Sequence, residues 1–392
     1  LVEDHPLRRL YATGFFTGAP CIGDLDGDGR VDLFLAGTTS PNRLYLQTGD
    51  LQFEDQAEAA GVADPDVWSA GASLVDIDND GDLDIYVPVY DAENRLFINE
   101  SNPGELRFKE MATGYGVNGN DGSLNSAFAD TDRDGDLDLY VQNYQLERET
   151  GRPEGDMPIE ILEREVGQSQ VRIPIVSEEF QPFYSAYFMD QNTIAWEETG
   201  RPDYLMRNNG VGLPFTDITA AIGLNPGRSF GTSIVFWDVD HNLWPDLFVG
   251  NDLEDADQLY SSGAQRGMMQ SSSAMLPITS WMTRGAAAAD FNGDLLIDLI
   301  TTDTLPVDPA LDVAHEDGLR SYRKMRMVSE IPQVMRNALF LNTGTIRLTE
   351  SARIAGVERS GNTWSVKAED FDLDGAVDLF FANGTPRDPL AK

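Results

Sequence analysis

The chain has 392 residues, 41% of them hydrophobic, with 66 acidic against 28 basic residues and a formal net charge of −38. That length allows one large domain or two ordinary ones. The charge excludes a nucleic-acid binder, which needs Lys and Arg to neutralise phosphates, and it disfavours anionic membrane surfaces. No run approaches the roughly 20 apolar residues of a membrane-spanning helix, and the single cysteine excludes a disulfide within the chain.

The chain opens on Leu1 rather than Met, as a mature or trimmed product would. Arg9-Leu10-Tyr11 precedes a small apolar run, Gly18 to Gly23, in which Cys21 reads as a small core residue. Asp24 to Asp32 follows with the sequence DLDGDGRVD. The same frame, D-x-[DN]-x-[DN]-x-x-x-D, returns at Asp76, Asp130, Asp238, Asp290 and Asp370. Each copy leads into an apolar, strand-like run.

Oxygen ligands at alternate positions suit a hard cation that takes six to eight oxygens in a flexible shell, which is calcium. Side chains at positions 1, 3 and 5 converge if the backbone curls, position 7 adds a carbonyl, and position 9 closes the shell. The candidate ligands are Asp24, Asp26, Asp28, Arg30 and Asp32 in loop one, and Asp76, Asp78, Asp80, Asp82 and Asp84 in loop two. Loop three has Asp130, Asp132, Asp134, Asp136 and Asp138, and loop four has Asp238, Asp240, Asn242, Trp244 and Asp246. Loop five has Asp290, Asn292, Asp294, Leu296 and Asp298, and loop six has Asp370, Asp372, Asp374, Ala376 and Asp378. Glycine at position 6 permits the sharp turn, but loops four and five carry Leu243 and Leu295 there. These two loops are expected to bind weakly or not at all, so four to six ions are expected in all. Position 12 is Leu35, Val87 or Val141 rather than the Glu of an EF-hand.

The repeat is longer than its loop. A small apolar strand precedes each loop (Ala70 to Val75, Ser126 to Ala129, Thr232 to Trp237, Gly285 to Ala289) and a second apolar strand follows it. Next comes a signature, Asn42-Arg-Leu-Tyr-Leu46, echoed from Asn94, Asp203, Asp257 and Asn337. A last strand then leads into Ala60-Gly-Val62 or its kin. Four strands at a period near 50 predict an all-β fold, a β-propeller of four-stranded blades in one domain spanning 1–392. Insertions are expected at about 145–201, 262–281 and 304–336. The first holds either a blade without a calcium loop or a long insertion with a helix over Ile159 to Val166. The third holds a basic helix over 318–330. The chain ends after the second strand of its last repeat, and either the segment with Arg9-Leu10-Tyr11 is expected to complete that blade or the chain is a fragment of something longer.

These loops resemble the calcium-bearing hairpins of FG-GAP/VCBS repeats, found in integrin α-subunit propellers and in many exported bacterial proteins. The pairing of the second strand with the Asn-Arg-Leu-Tyr-Leu and Ala-Gly-Val segments is similar to the cartilage-acidic-protein-like, UnbV/ASPIC-associated group. The resemblance implies seven blades, by analogy with integrins, with six or eight as alternatives.

Only His5, His241 and His315 are present, and no zinc, P-loop or nucleophile-elbow motif appears. The expected function is a calcium-binding interaction or adhesion module, extracellular, periplasmic or at the cell surface, with a protein or glycan partner. The aromatic stretch with Phe180, Phe183, Tyr184, Tyr187, Phe188 and Trp196 is either its contact surface or the core of a degenerate blade. Two alternatives remain. One is a carbohydrate-active lyase or dehydratase using acids such as Glu178, Glu179, Glu197 and Glu198. The other is a structural subunit of a larger extracellular assembly.

Overall fold

The structure is a computed structural model that describes residues 20–38, 40–102, 106–146, 156–166, 169–181, 183–188, 193–252, 255–264, 267–304 and 331–384. Arg9-Leu10-Tyr11, His5, His315 and the basic segment 318–330 lie outside the described residues.

The protein is all-β and built of propeller blades. Blade one is Pro20–Gly23, Asp32–Leu35, Arg43–Gly49 and Gln52–Asp55, antiparallel in chain order. Blade two is Ser73–Val75, Asp84–Val87, Arg95–Asn99 and Phe108–Glu110. Blade three is Asn120–Ala129, Asp138–Asn143, Tyr204–Arg207 and Thr216–Asp217, with Tyr90–Glu93 added on its inner edge. Blade four is Phe230–Trp237, Asp246–Asp252, Gln258–Ser261 and Met269–Gln270. Blade five is Gly285–Ala289, Asp298–Thr302, Ala338–Leu341 and Thr349–Glu350. Thr363–Glu369 and Asp378–Asn383 are the described strands of blade six.

The second strands show why the sheets stack. Successive side chains of a strand point to opposite faces, and in Asp84–Val87 all four residues are buried. Ile85 and Val87 join Phe34 and Leu44 of blade one, while Tyr86 joins Leu139 and Val141 of blade three. Similar cores lie between blades three and four, four and five, and five and six. Each burial of such a side chain contributes about 1.5–3 kcal/mol, so no blade is stable without its neighbours.

Small residues let the innermost strands crowd together. A Cβ on Gly231 would lie 2.4 Å from Gln142 Cγ. Polar side chains stitch each junction. Cys21 Sγ donates to Ala72 O at 3.1 Å, and the Ser73 and Ser126 hydroxyls lie 2.8 Å apart. Asn125 Nδ2 donates to Thr232 O at 2.9 Å, Thr232 Oγ1 to Thr283 O, and Thr302 Oγ1 to Thr363 O at 3.4 Å. Cys21 is thus a half-buried junction residue, with burial pushing its thiol up to about 11 and Lys367 of blade six opposing that rise.

Three expectations change. Ile159–Val166 is a strand paired with Ser169–Val176, not a helix. Residues 145–200 do not form a blade. Asp138–Asn143 pairs directly with Tyr204–Arg207, so two hairpins, 159–176 and 184–198, are inserted between the second and third strands of blade three. Residues 262–281 are largely regular blade, holding the fourth strand of blade four and the helical turn Ser272–Met275. The Ala-Gly-Val segments end helical turns: Gly61, Gly116 and Gly356, at φ 83°, 69° and 74°, close Ala57–Ala60, Ala112–Tyr115 and Ala352–Ala355.

Candidate metal centre

Every acidic loop joins the first and second strands of its blade. Position 9 pairs across the ladder with the residue just before position 1, as in Gly23↔Asp32, Val75↔Asp84 and Glu369↔Asp378. The loop carboxylates organise the backbone between them. In loop one the Asp24 carboxylate accepts N–H from Gly27 at 2.9 Å, Asp28 at 3.1 Å and Gly29 at 2.8 Å. Asp28 accepts Arg30 N–H at 2.9 Å. In loop six Asp370 accepts Asp374 and Gly375 N–H, and Asp374 accepts Ala376 N–H.

The Asp at position 9 anchors the loop to its blade. Asp84 Oδ2 accepts Ile77 N–H at 3.0 Å, and its Oδ1 accepts Asn99 N–H at 2.8 Å from the last residue of the third strand. Asp32, Asp138, Asp246 and Asp298 do the same with Gln47, Asn208, Ser262 and Asn342. All five are buried.

The gathered oxygens fit a cation. In loops one, two and four the carboxylates of positions 1, 3 and 9 bring oxygens within 4.8 Å of one another. In loops three and six positions 1, 3 and 5 do so. Burial comes first among the causes that push Asp84 up to about 7, Asp138 and Asp246 up to about 6, and Asp82 up to about 6, with Asp80 adding to the rise of Asp82. Burial and neighbouring carboxylates likewise raise Asp26, Asp78 and Asp132. Oxygens Oδ1 of Asp78 and of Asp82 are buried without a hydrogen-bond partner. Leaving such an atom unsatisfied costs about 1–3 kcal/mol or more, and a hard cation is the partner this all-oxygen set suits. A polar cleft of about 400 Å³ borders loop two, lined in part by Asp78, Asp80, Asp82, Lys109 and Tyr115.

Loops four and five keep the turn despite their leucines. Leu243 and Leu295 hold φ at 68° and 69°, where Gly29, Gly81, Gly135 and Gly375 sit elsewhere. Loop five differs in ligand chemistry: Asn292 donates to Asp294 Oδ2 at 3.0 Å. Among the described residues its acids form no three-carboxylate cluster. The sequence reading missed position 4, where Asn79, Arg133, His241 and Leu373 also take positive φ. It also missed the asparagines at the ends of the third strands. The repeated Asn at 99, 208 and 342 was the available signal.

Repeated blades joined by acidic hairpin loops define the class of architecture, and part of this chain is similar to FG-GAP repeats. The FG-GAP-like repeat family matches residues 24–87, from loop one to the second strand of blade two. Over 92 residues the chain is 33% identical to cartilage acidic protein 1 of Homo sapiens and 32% identical to that of Mus musculus. Each match covers 24% of this chain and 14% of the relative, so only a small part of those proteins is represented. An Agrocybe aegerita lectin, described as recognising non-reducing terminal N-acetylglucosamine, aligns over 85% of this chain and 79% of its own at 13% identity, with a TM-score of 0.36. The V. cholerae biofilm matrix protein Bap1 aligns over 95% of this chain and 66% of its own at 12% identity, with a TM-score of 0.37.

Proposed function

We propose that the protein is a calcium-stabilised propeller that works outside the cytosol as a non-catalytic interaction module. The observation that carries this reading is the repetition of one loop geometry, with three carboxylates drawn together in each of five loops. Bound calcium would supply the positive charge that lets those carboxylates crowd. Asp at positions 1, 3, 5 and 9 would hold it in loops one, two, three and six, helped by the carbonyls of Arg30, Asp82, Asp136 and Ala376. Weak calcium sites of this kind fill where calcium is millimolar, which favours export. Among the described residues no helix is long and apolar enough to cross a membrane. Inner-strand contacts run in sequence from blade one to blade six, which supports a propeller of at least six blades.

The partner surface is the inserted hairpin pair, and the partner is a protein or a glycan. Phe180 and Phe183 are buried anchors, whereas Trp196 is 56% exposed and meets Tyr184 edge to face at 5.2 Å. Arg172 lies over Phe188 at 5.1 Å. An exposed aromatic held by a second ring is a contact for a sugar face or an apolar side chain. Printed glycan and peptide arrays, probed with calcium and with chelator, test this. We expect binding that is lost in Trp196→Ala at unchanged thermal stability. Binding that ignores Trp196 would remove the hairpins from the reading, and turnover of an acidic polysaccharide would replace the module with an enzyme.

A further inference from the structure

The acidic loops are wired to one another. Leu25, at position 2 of loop one, donates its N–H to Asp32 Oδ2 at 2.8 Å, while its carbonyl accepts Asn99 Nδ2 at 3.1 Å. Asn99 belongs to blade two, and its own N–H goes to Asp84 Oδ1 at 2.8 Å. Two residues therefore connect the closing aspartates of neighbouring loops. The next junction repeats the path. Ile77 N–H goes to Asp84 Oδ2 at 3.0 Å, Asn208 Nδ2 to Ile77 O at 3.1 Å, and Asn208 N–H to Asp138 Oδ1 at 2.9 Å. It appears again between loops four and five, where Asn342 Nδ2 donates to Val239 O at 2.8 Å and Asn342 N–H to Asp298 Oδ1 at 2.7 Å. Between loops three and four the residue in that place is Ser262, whose N–H still reaches Asp246 Oδ1 at 2.6 Å but which has no amide side chain to continue the path.

We propose that Asn99 and Asn208 are positioning residues that couple ion binding between successive loops, joining loops one, two and three into one set, while Asn342 builds the same path between loops four and five. The proposal rests on the reading of the loops as calcium sites. Each closing aspartate already gives both oxygens to backbone N–H groups, so an ion that draws it inward also draws the amides bound to it. The asparagine side chain passes that displacement to the carbonyl of the preceding loop. Leu25, Ile77 and Val239 are buried, with 1–3% of their surface exposed, which leaves these carbonyls little freedom to move independently. Asn99, Asn208 and Asn342 are fixed in turn, each accepting the N–H two residues on, from Ser101, Gly210 and Gly344.

A double-mutant cycle with calcium as the probe tests the coupling. Loop one is switched off with Asp24→Asn and Asp28→Asn, in the full chain and in full chain carrying Asn99→Ser, and stepwise calcium affinities are read by chelator competition. Serine already serves at this place in blade four, so Asn99→Ser is compatible with the fold. We expect loss of loop one to weaken a remaining site about fivefold or more when Asn99 is present, the lower end of typical coupling, and less than about twofold with Asn99→Ser. Equal weakening in both backgrounds overturns the relay while leaving the calcium sites intact. An unmutated chain that binds no calcium overturns the reading of the loops instead. If Asn99→Ser is not recovered folded, Asn208→Ser with loop two switched off by Asp76→Asn and Asp80→Asn, read at loop three, is the same test at the next junction.

Discussion

Asp257 has its carboxyl wholly buried at the start of the third strand of blade four, where burial pushes it up to about 7. It accepts Asn251 N–H at 2.9 Å and the Thr283 hydroxyl at 2.8 Å, and Asp303 stands nearby. Blades one, two and five use Asn42, Asn94 and Asn337 in this place, each accepting an N–H from the turn past the second strand. Unfolded, Asp257 ionises near the ordinary value of about 3.9. Between about 4 and 7 the folded chain keeps a proton that the unfolded chain has lost. The contribution of Asp257 to stability therefore falls as pH rises through this window and is flat above it. Asn would keep the N–H acceptor, and the Thr283 hydroxyl can accept as well as donate. We predict that Asp257→Asn, compared with the unmutated chain by denaturant unfolding with calcium present, gains more stability at about pH 8 than at about pH 5. Equal effects at the two values would show that the carboxyl is already ionised in the fold. The sequence displayed this alternation of Asn and Asp openly. What it could not display is burial, which turns one of two similar side chains into a proton-holding group.

Among the elements, strand ladders that meet within a blade were legible and insertions were not. The first and second strands, the loops between them and the Asn-Arg-Leu-Tyr-Leu third strands all fall where apolar runs and turn residues put them. Residues 159–166 misled for a physical reason. Ile159, Leu162 and Val166 recur at helical spacing, and only the partner strand Ser169–Val176 decides between helix and hairpin. Likewise the doubled gap before loop four suits either a blade or an insertion until pairing is seen. The insertion leaves and re-enters the blade at one point, since Arg201 N–H bonds Tyr144 O at 2.8 Å. Arg201 also grips Asp121 through two hydrogen bonds of 2.6 and 2.8 Å. Ends so close need little chain to join them, because closing a short loop costs little entropy. We expect replacement of 147–199 by a short Gly-Ser linker to preserve the all-β circular dichroism spectrum and cooperative unfolding in calcium, while abolishing array binding. Loss of cooperative unfolding would mean that the hairpins belong to the core after all.

At the scale of the whole molecule, one hairpin loop is used six times to hold blades that cannot stand alone. The cores lie between sheets rather than within them, so stability depends on every junction. The loops add a second tie along one face. Asn79 of loop two donates to Asp136 of loop three at 2.8 Å, and Arg133 of loop three lies over Trp244 of loop four at 5.6 Å. A net charge of −38 strains such an assembly by self-repulsion until cations offset it. We propose that calcium in these loops stabilises the fold. The direct measurement is the thermal unfolding midpoint of the full chain with calcium, with magnesium and with chelator, alongside the bound metal in the same sample. Each site held at 100 times its Kd adds about 2.7 kcal/mol by linkage, so several sites together should move the midpoint by many degrees. We predict four to six calcium ions bound and a large fall in the chelator, restored by calcium and not by magnesium. An unchanged midpoint with no metal bound would contradict it and leave the acidic loops as solvated turns.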